Sequence, residues 1–254
     1  KIRHGTASAC LVRIKTSESK KRAINSFLQS LENIICPQSL LVKAKKIKRL
    51  PRVAIAEAGS EVVMQSAKTA FEAGIMAPVF VGNKKEIFLA AKRLDWDIGG
   101  FDLVHSESEE ESANVAAKLC GVGDAEILMK GNVHSDKFIK AVITSKNKIR
   151  TSKRLIHVFY ITPKDGTEGV MVSDAAVNVV LNEKSKKRAT LIVVELLKKI
   201  GIVRPKIAFL SASESIIESM PSTLEGKVLC EWSKENIKGA DFAGPLALDL
   251  ILSR

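Results

Sequence analysis

Aromatic side chains are scarce in this chain: two Trp, one Tyr and nine Phe among 254 residues, or 5%. A surface that stacks single-stranded bases needs such rings interleaved with basic residues. Only Phe27 stands among the basic clusters of the N-terminal region, which argues against that kind of platform. Long apolar runs are missing too. None approaches the ~18 residues of a membrane-spanning helix, and stretches such as Leu191 to Val194 are short. The four cysteines, Cys10, Cys36, Cys120 and Cys230, are too far apart for Cys-x-x-Cys or zinc-finger spacing. Reduced thiols in a cytoplasmic protein are the expectation. His4, His105, His134 and His157 are scattered without metal-ligand spacing, so no metal is expected. Of the four, His157 lies in an apolar stretch and reads as a satisfied core histidine. Gly121-Val122-Gly123 lacks a third glycine and precedes a strand, so it is not a dinucleotide fingerprint. Walker and Gly-x-Ser-x-Gly motifs are absent, as are internal repeats and low-complexity segments.

What the sequence has in excess is positive charge: 40 Lys and Arg against 28 acids, a net of +12. Residues 1–50 carry 12 of the basic residues and 2 of the acids, so the remaining 204 residues are close to neutral. The basicity belongs to a leader with clusters at Lys20-Lys21-Arg22 and Lys43 to Arg49. Between them Phe27, Leu28, Leu31, Ile34 and Ile35 recur at helical spacing, predicting an amphipathic helix over about 22–35 that ends at Pro37.

From Pro51 the pattern alternates. Short apolar strands are predicted at 53–56, 78–82, 102–104 and 125–129, with helices at 61–74, 83–94, 108–120 and 136–145. Asn83 with Glu86, Ser108 with Glu111, and Ser135 supply the N-terminal caps. After a basic link at 146–153, strands are predicted at 155–161, 170–173 and 206–210, and helices at 184–200 and 226–235. Repeated strand–helix units argue for α/β architecture, with parallel sheets covered by helices on both faces. The link divides the chain into a leader (1–50), a first α/β domain (51–148) and a second (149–254).

In open parallel sheets, ligands bind beyond the carboxyl ends of strands. Four post-strand segments carry suitable chemistry. In Met129-Lys130-Gly131-Asn132-Val133-His134-Ser135, Lys130 offers a compact positive charge and Gly131 allows close backbone approach. Ser135 begins a helix whose free N–H groups favour anions. In Ser173 to Asn178, Asp174 and Asn178 are four residues apart, so they share one face of a helical turn; an N-capping Asp174 is the plainer reading. The loop holding Ser211, Ser213 and Glu214, followed by Met220-Pro221-Ser222-Thr223, is rich in hydroxyls, as an anion site or an ordinary capped loop would be. Gly244-Pro245 predicts a turn, with Asp249 opening the next helix.

Taken together, Val53 to Ala58, Ala77 to Gly82, Ala125 to Ser135 (AEILMKGNVHS), Asp174 to Asn178 (DAAVN), Gly201 to Glu214 (GIVRPKIAFLSASE), MPST at 220–223 and GPLALD at 244–249 occur in one order over about 51–249. This combination resembles the phosphate acetyltransferase and phosphate butyryltransferase family. It is closest to the acyltransferase half of two-domain proteins that carry an enoyl-CoA hydratase module upstream. The resemblance implies a two-domain α/β/α sandwich like isocitrate and isopropylmalate dehydrogenases, with the site in the cleft. It implies acetyl or butyryl transfer between coenzyme A and inorganic phosphate, with acyl-CoA as substrate and no resident cofactor. A homodimer is a further expectation. Lys130, Gly131, Asn132, Ser135, Asp174, Asn178, Ser211, Ser213, Glu214, Gly244, Pro245 and Asp249 are the implied substrate-binding set.

The sequence also departs from the pattern. The family's Ser-Arg pair and later Asp, used for substrate binding and thiol deprotonation, fall in a tail beyond Arg254. Ser253-Arg254 comes too early to be that motif. The second domain is therefore expected to be incomplete, the catalytic residues are unassigned, and transfer is expected to be impaired. Ile156 replaces a family Ser, and Val179-Val180-Leu181 a family Pro. Two other readings stand beside the enzyme: a non-catalytic remnant that binds coenzyme A or phosphate, and nucleic-acid association through the leader. The second is the less expected, because solvated lysines are the plainer account.

Overall fold

The computed structural model describes residues 37–162, 169–174, 176–178 and 181–252. The amphipathic helix predicted over 22–35 lies outside the described residues. A short helix unforeseen in the sequence, α1 (Gln38–Ala44), succeeds Pro37. Lys43 on it donates to the Ile200 carbonyl, and Arg49 pairs with Glu126. Part of the second basic cluster is thus engaged within the fold.

Next come β1 (Arg52–Ala56), α2 (Glu61–Glu72), β2 (Ala77–Gly82), α3 (Lys84–Arg93), β3 (Asp102–His105), α4 (Glu109–Val122), β4 (Ile127–Lys130) and α5 (Ser135–Ile143). The four strands form one parallel sheet in the order β3-β2-β1-β4. Strands β1 and β2 are central and covered on both faces, which is why they read as unbroken apolar runs. Their alternate residues serve two cores. Val53, Ile55 and Phe80 pack with Met64 of α2 and Ile87 of α3. On the other face Ala54, Ala56 and Val81 meet Ala113, Ala116 and Ala117 of α4 and Ala141 of α5. Small residues there let the helices lie close to the sheet. On the larger face Phe71, Phe80, Trp96 and Phe101 meet mostly edge to face, with centroids 4.8–6.4 Å apart. A third of the chain's few aromatics is therefore spent on one core.

The Asn83 and Ser108 side chains cap their helices as the sequence predicts, while the carboxylate halves of the expected capping boxes and the Ser135 cap differ. Asn83 accepts from the Lys85 and Glu86 N–H groups, and Ser108 from Glu111 N–H. Glu111, however, reaches back to the Glu107 N–H rather than to the cap itself. Ser135 is not a cap: it is the first helical residue of α5, and His134 holds the cap position without a side-chain capping bond.

Beyond the link, β5 (Val158–Ile161) pairs antiparallel with β6 (Val170–Ser173). This departs from the all-parallel expectation. The connection from 162 to 169 is shorter than the dozen or so residues a parallel crossover needs. Strand β5 also begins later than the predicted 155. Helix α6 (Glu183–Lys199), β7 (Lys206–Leu210), α7 (Pro221–Asn236), β8 (Asp241–Leu246) and α8 (Leu248–Leu252) complete the described chain. Strands β7 and β8 are parallel, with Val194, Cys230, Ile237 and Phe242 forming their core. Helix α7 begins five residues before the predicted 226, with Pro221 in its first turn. Proline suits that position because its missing N–H would be unpaired there anyway. The predicted Gly244-Pro245 turn is instead part of β8, at a register shift opposite Ala208 and Leu210.

Candidate functional site

In the first sheet β1 is flanked by β2 on one side and β4 on the other. Chain order reverses there, and at such a switch point a crevice opens at the carboxyl ends of the strands. Lys130 ends β4 in register with Ala56, which ends β1. Gly131 N–H then donates to the Ala56 carbonyl, and Asn132 N–H to the Glu57 carbonyl, both at 2.9 Å. A Cβ on Gly131 would stand 2.3 Å from the Ala56 oxygen and 2.5 Å from the Glu57 oxygen. Glycine is required here for close backbone approach. Lys130, Asn132 and Ser135 all expose their side chains.

The other end of this loop is fixed by Glu109, from the first turn of α4. Its carboxylate accepts from His134 Nδ1 at 2.7 Å, from His134 N–H at 3.2 Å and from Lys137 Nζ at 3.2 Å. The bonds from His134, chiefly that from its ring, hold the Glu109 carboxyl down at about 2. A carboxylate of the chain itself thus stands beside the start of α5, where the sequence suggested open N–H groups for an anion.

Glu57 comes directly after β1, at the carboxyl end of the sheet, in the left-handed backbone region with φ 56°. Its N–H donates to Ser112 Oγ at 2.7 Å, and Ser112 Oγ donates to the Val81 carbonyl at 3.2 Å. Burial pushes the Glu57 carboxyl up. The Ser112 hydroxyl opposes this, and the negative charges of Glu86 and Glu109 add to it. Glu57, Glu109 and Ser112 were not singled out in the sequence. The position of Glu57 immediately after the first predicted strand was a signal that could have found it; the other two depend on how α4 is placed.

Asp174 and Asn178 do meet, but not along a helical turn. The Asn178 amide donates to Asp174 Oδ2 and, at 3.0 Å, to the Leu155 carbonyl. Asp174 Oδ1 accepts from His157 N–H at 2.9 Å, and Asn178 Oδ1 from Arg154 at 2.7 Å. Their polar atoms brace the segment before β5, which explains why that strand starts late. Within it, His157 packs edge to face on Phe159 with Nδ1 buried and without a hydrogen-bond partner, so it is not the satisfied core histidine the sequence suggested.

The third group joins three motifs. Ser211 N–H donates to the Leu246 carbonyl at 2.8 Å, and the Ser211 and Ser222 hydroxyls are 2.9 Å apart. Pro245 is buried against Gly226, where a Cβ would come within 3.0 Å of the ring. Gly244 lies against Phe209. Thr223 is fully buried; its hydroxyl accepts from Ile217 N–H and donates toward the Ile217 and Met220 carbonyls. Ser213 is spent on the Ser215 N–H, while Glu214 and Asp249 are exposed. The twelve sequence-predicted residues thus fall into three groups, each held by its own contacts. Among the described residues, no group of three or more His, Cys, Asp and Glu could hold a metal ion. No described helix is long and apolar enough to cross a membrane.

A family described as "Phosphate acetyl/butaryl transferase" matches residues 38–120 and 110–254. A phosphate butyryltransferase of Clostridium acetobutylicum is 32% identical over 214 residues, covering 84% of this chain and 71% of that protein. A phosphate acetyltransferase of Rhizobium meliloti is 30% identical over 210 residues, covering 82% of this chain and 66% of that protein. In fold, the chain is similar to a branched-chain phosphotransacylase from Enterococcus faecalis: TM-score 0.68, 24% identity, 80% of this chain and 71% of that one. It is also similar to a phosphotransacetylase from Streptococcus pyogenes: TM-score 0.64, 18% identity, 84% and 73%.

Proposed function

We propose that this chain, which belongs to the phosphate acetyl/butyryl transferase family, moves an acetyl or butyryl group between coenzyme A and inorganic phosphate. The observation that carries the proposal is the family match through residue 254, combined with an anion-suited strand end, Lys130-Gly131, at the switch point of a parallel sheet. Lys130 supplies a point charge for a phosphate oxygen. Gly131, packed against the Ala56 and Glu57 carbonyls, draws the end of β4 onto the end of β1 and so places Lys130 at that strand end. The loop at Ser211 to Glu214, with the start of α7, is the second substrate-facing surface in this reading. Residues 51–148 and 149–254 are its two domains, the protein acts in the cytoplasm, and acyl-CoA and phosphate are its partners.

The chemistry asks for three things. A phosphate must be held against an acyl carbon, the tetrahedral oxyanion must be met by positive or N–H partners, and a proton must move between phosphate and sulfur. The test is thiol release from acetyl-CoA and butyryl-CoA with and without phosphate. The proposal expects phosphate-dependent release. Release that ignores phosphate, or none at all, counts against it. Coenzyme A binding measured by calorimetry without turnover would leave a binding remnant as the better account.

A further inference from the structure

Arg154 follows the basic link and precedes β5, with its side chain partly buried. Its Nη2 donates to Asn178 Oδ1 at 2.7 Å. Asn178 is itself oriented, because its amide donates to Asp174 Oδ2 and to the Leu155 carbonyl. Asp174 Oδ1 in turn accepts from the His157 N–H. A chain of fixed neighbours thus sets the direction of the guanidinium. Strands β5 and β6 are antiparallel with Val158 opposite Ser173, so this segment leads in beside the carboxyl end of β6.

The bonds that this network leaves unmade point to a ligand. Arg154 Nε is buried and has no hydrogen-bond partner. Among the described residues Ser106 Oγ, Ser233 Oγ, Arg154 Nε and His157 Nδ1 are in that state, and the last two belong to this one segment. A buried N–H on a charged group is costly without an acceptor, so the site calls for an acceptor that the protein does not supply. The charge says the same. Among the described residues Arg154 forms no ion pair, whereas the preceding Lys153 is paired with Glu195. The carboxylate of Asp174 is turned to Asn178 and to the His157 N–H instead. A part-buried cation so placed is stabilised by an anion from outside.

We propose that Arg154 is a binding residue for a phosphate group of the substrates; this deepens the acyl-transfer reading above and rests on it. A phosphate group brings the missing negative charge and several acceptor oxygens. The planar N–H groups of a guanidinium meet two such oxygens at once, which an ammonium cannot do. Asn178 already holds the guanidinium, so little freedom is lost when the anion arrives. Lys130 differs in kind: it is an exposed point charge at the end of β4. Both substrates of the proposed reaction carry the group, inorganic phosphate as itself and coenzyme A in its diphosphate and 3′-phosphate.

The test compares the full chain with Arg154→Gln and Arg154→Lys, reading kcat and the KM values for inorganic phosphate, acetyl-CoA and 3′-dephospho-acetyl-CoA. Arg154→Gln is expected to raise the KM of one substrate about 10-fold or more, and to leave the other KM and kcat within about threefold. Arg154→Lys, which keeps the charge and loses the fork, is expected to lie between. A rise for inorganic phosphate assigns Arg154 to that substrate. A rise for acetyl-CoA that disappears with the dephospho form assigns it to the 3′-phosphate, and one that persists assigns it to the diphosphate. An equal rise for both substrates, or none for either, overturns the assignment and leaves acyl transfer standing. If the wild type shows no phosphate-dependent turnover, the acyl-transfer reading fails, and calorimetry with inorganic phosphate and with coenzyme A reads the site by itself. Binding that Arg154→Gln loses then keeps the site; binding equal in both chains, or none in the wild type, overturns it. Thermal unfolding of all three chains separates a binding defect from a folding one, and Arg154→Lys carries the comparison if Arg154→Gln unfolds early.

Discussion

Gly131 shows how one residue type controls the approach of two strands. Its absent side chain leaves room for the Ala56 and Glu57 carbonyls. Gly131→Ala is therefore expected to cost about 1–3 kcal/mol of stability, because neither strand can retreat without unpairing the sheet. The denaturation midpoint of the purified variant measures it; an unchanged midpoint would mean that the loop is free to move. Glu109 makes a second prediction, about acid. Its carboxyl is held at about 2, below its ordinary 4.5. A lowered folded-state pKa means that its stabilising effect is present above about 4.5 and is lost as pH falls toward 2. Glu109→Gln should flatten that part of the stability-versus-pH curve and leave the curve above about pH 6 parallel to the wild type. A curve of unchanged slope between pH 4.5 and 2 would contradict the His134 contact. Lys130, Gly131 and Ser135 were legible as residue types at a strand end. Glu109, which occupies their neighbourhood, was not, because it comes from another helix through a contact with no local signature.

At the scale of elements, the strands and helices of the first sheet were legible because β1 and β2 are buried on both faces and their runs are bounded by turn residues. Errors arose where tertiary contacts outrank local pattern. Strand β5 begins late because Asp174 and Asn178 claim the backbone of 155–157. Helix α7 begins early because Met220-Pro221-Ser222-Thr223 looks like loop in sequence, yet Thr223 closes the turn. Its hydroxyl serves the Ile217 N–H at 3.0 Å and the Met220 carbonyl at 2.8 Å inside a fully buried site. Thr223→Val keeps the shape and removes those bonds, so a loss of about 1–3 kcal/mol is expected, measurable by urea denaturation. Hydrogen exchange should show faster opening at 217–224 in the variant. A variant as stable as the wild type would mean that the turn is held by Pro221 alone.

For the whole molecule, the net charge of +12 is largely a property of residues 1–50, and within them Lys43 and Arg49 are engaged by the fold. Total charge is thus a poor guide to partners here; the order of strand ends is a better one. The twelve residues chosen from sequence were all placed at or near strand ends, but they serve different ends. Asp174, Asn178 and Ser211 are occupied with structural bonds, while Lys130, Asn132, Glu214 and Asp249 present exposed side chains. The proposed work of the molecule is one reaction, in which an acyl group is joined to inorganic phosphate at the expense of a thioester. It is read by the simultaneous assay of free thiol and acyl phosphate after mixing the chain with butyryl-CoA or acetyl-CoA and phosphate. Acyl transfer to phosphate predicts equal amounts of the two products, both vanishing when phosphate is omitted. Thiol without acyl phosphate, or neither product at saturating phosphate, would contradict it.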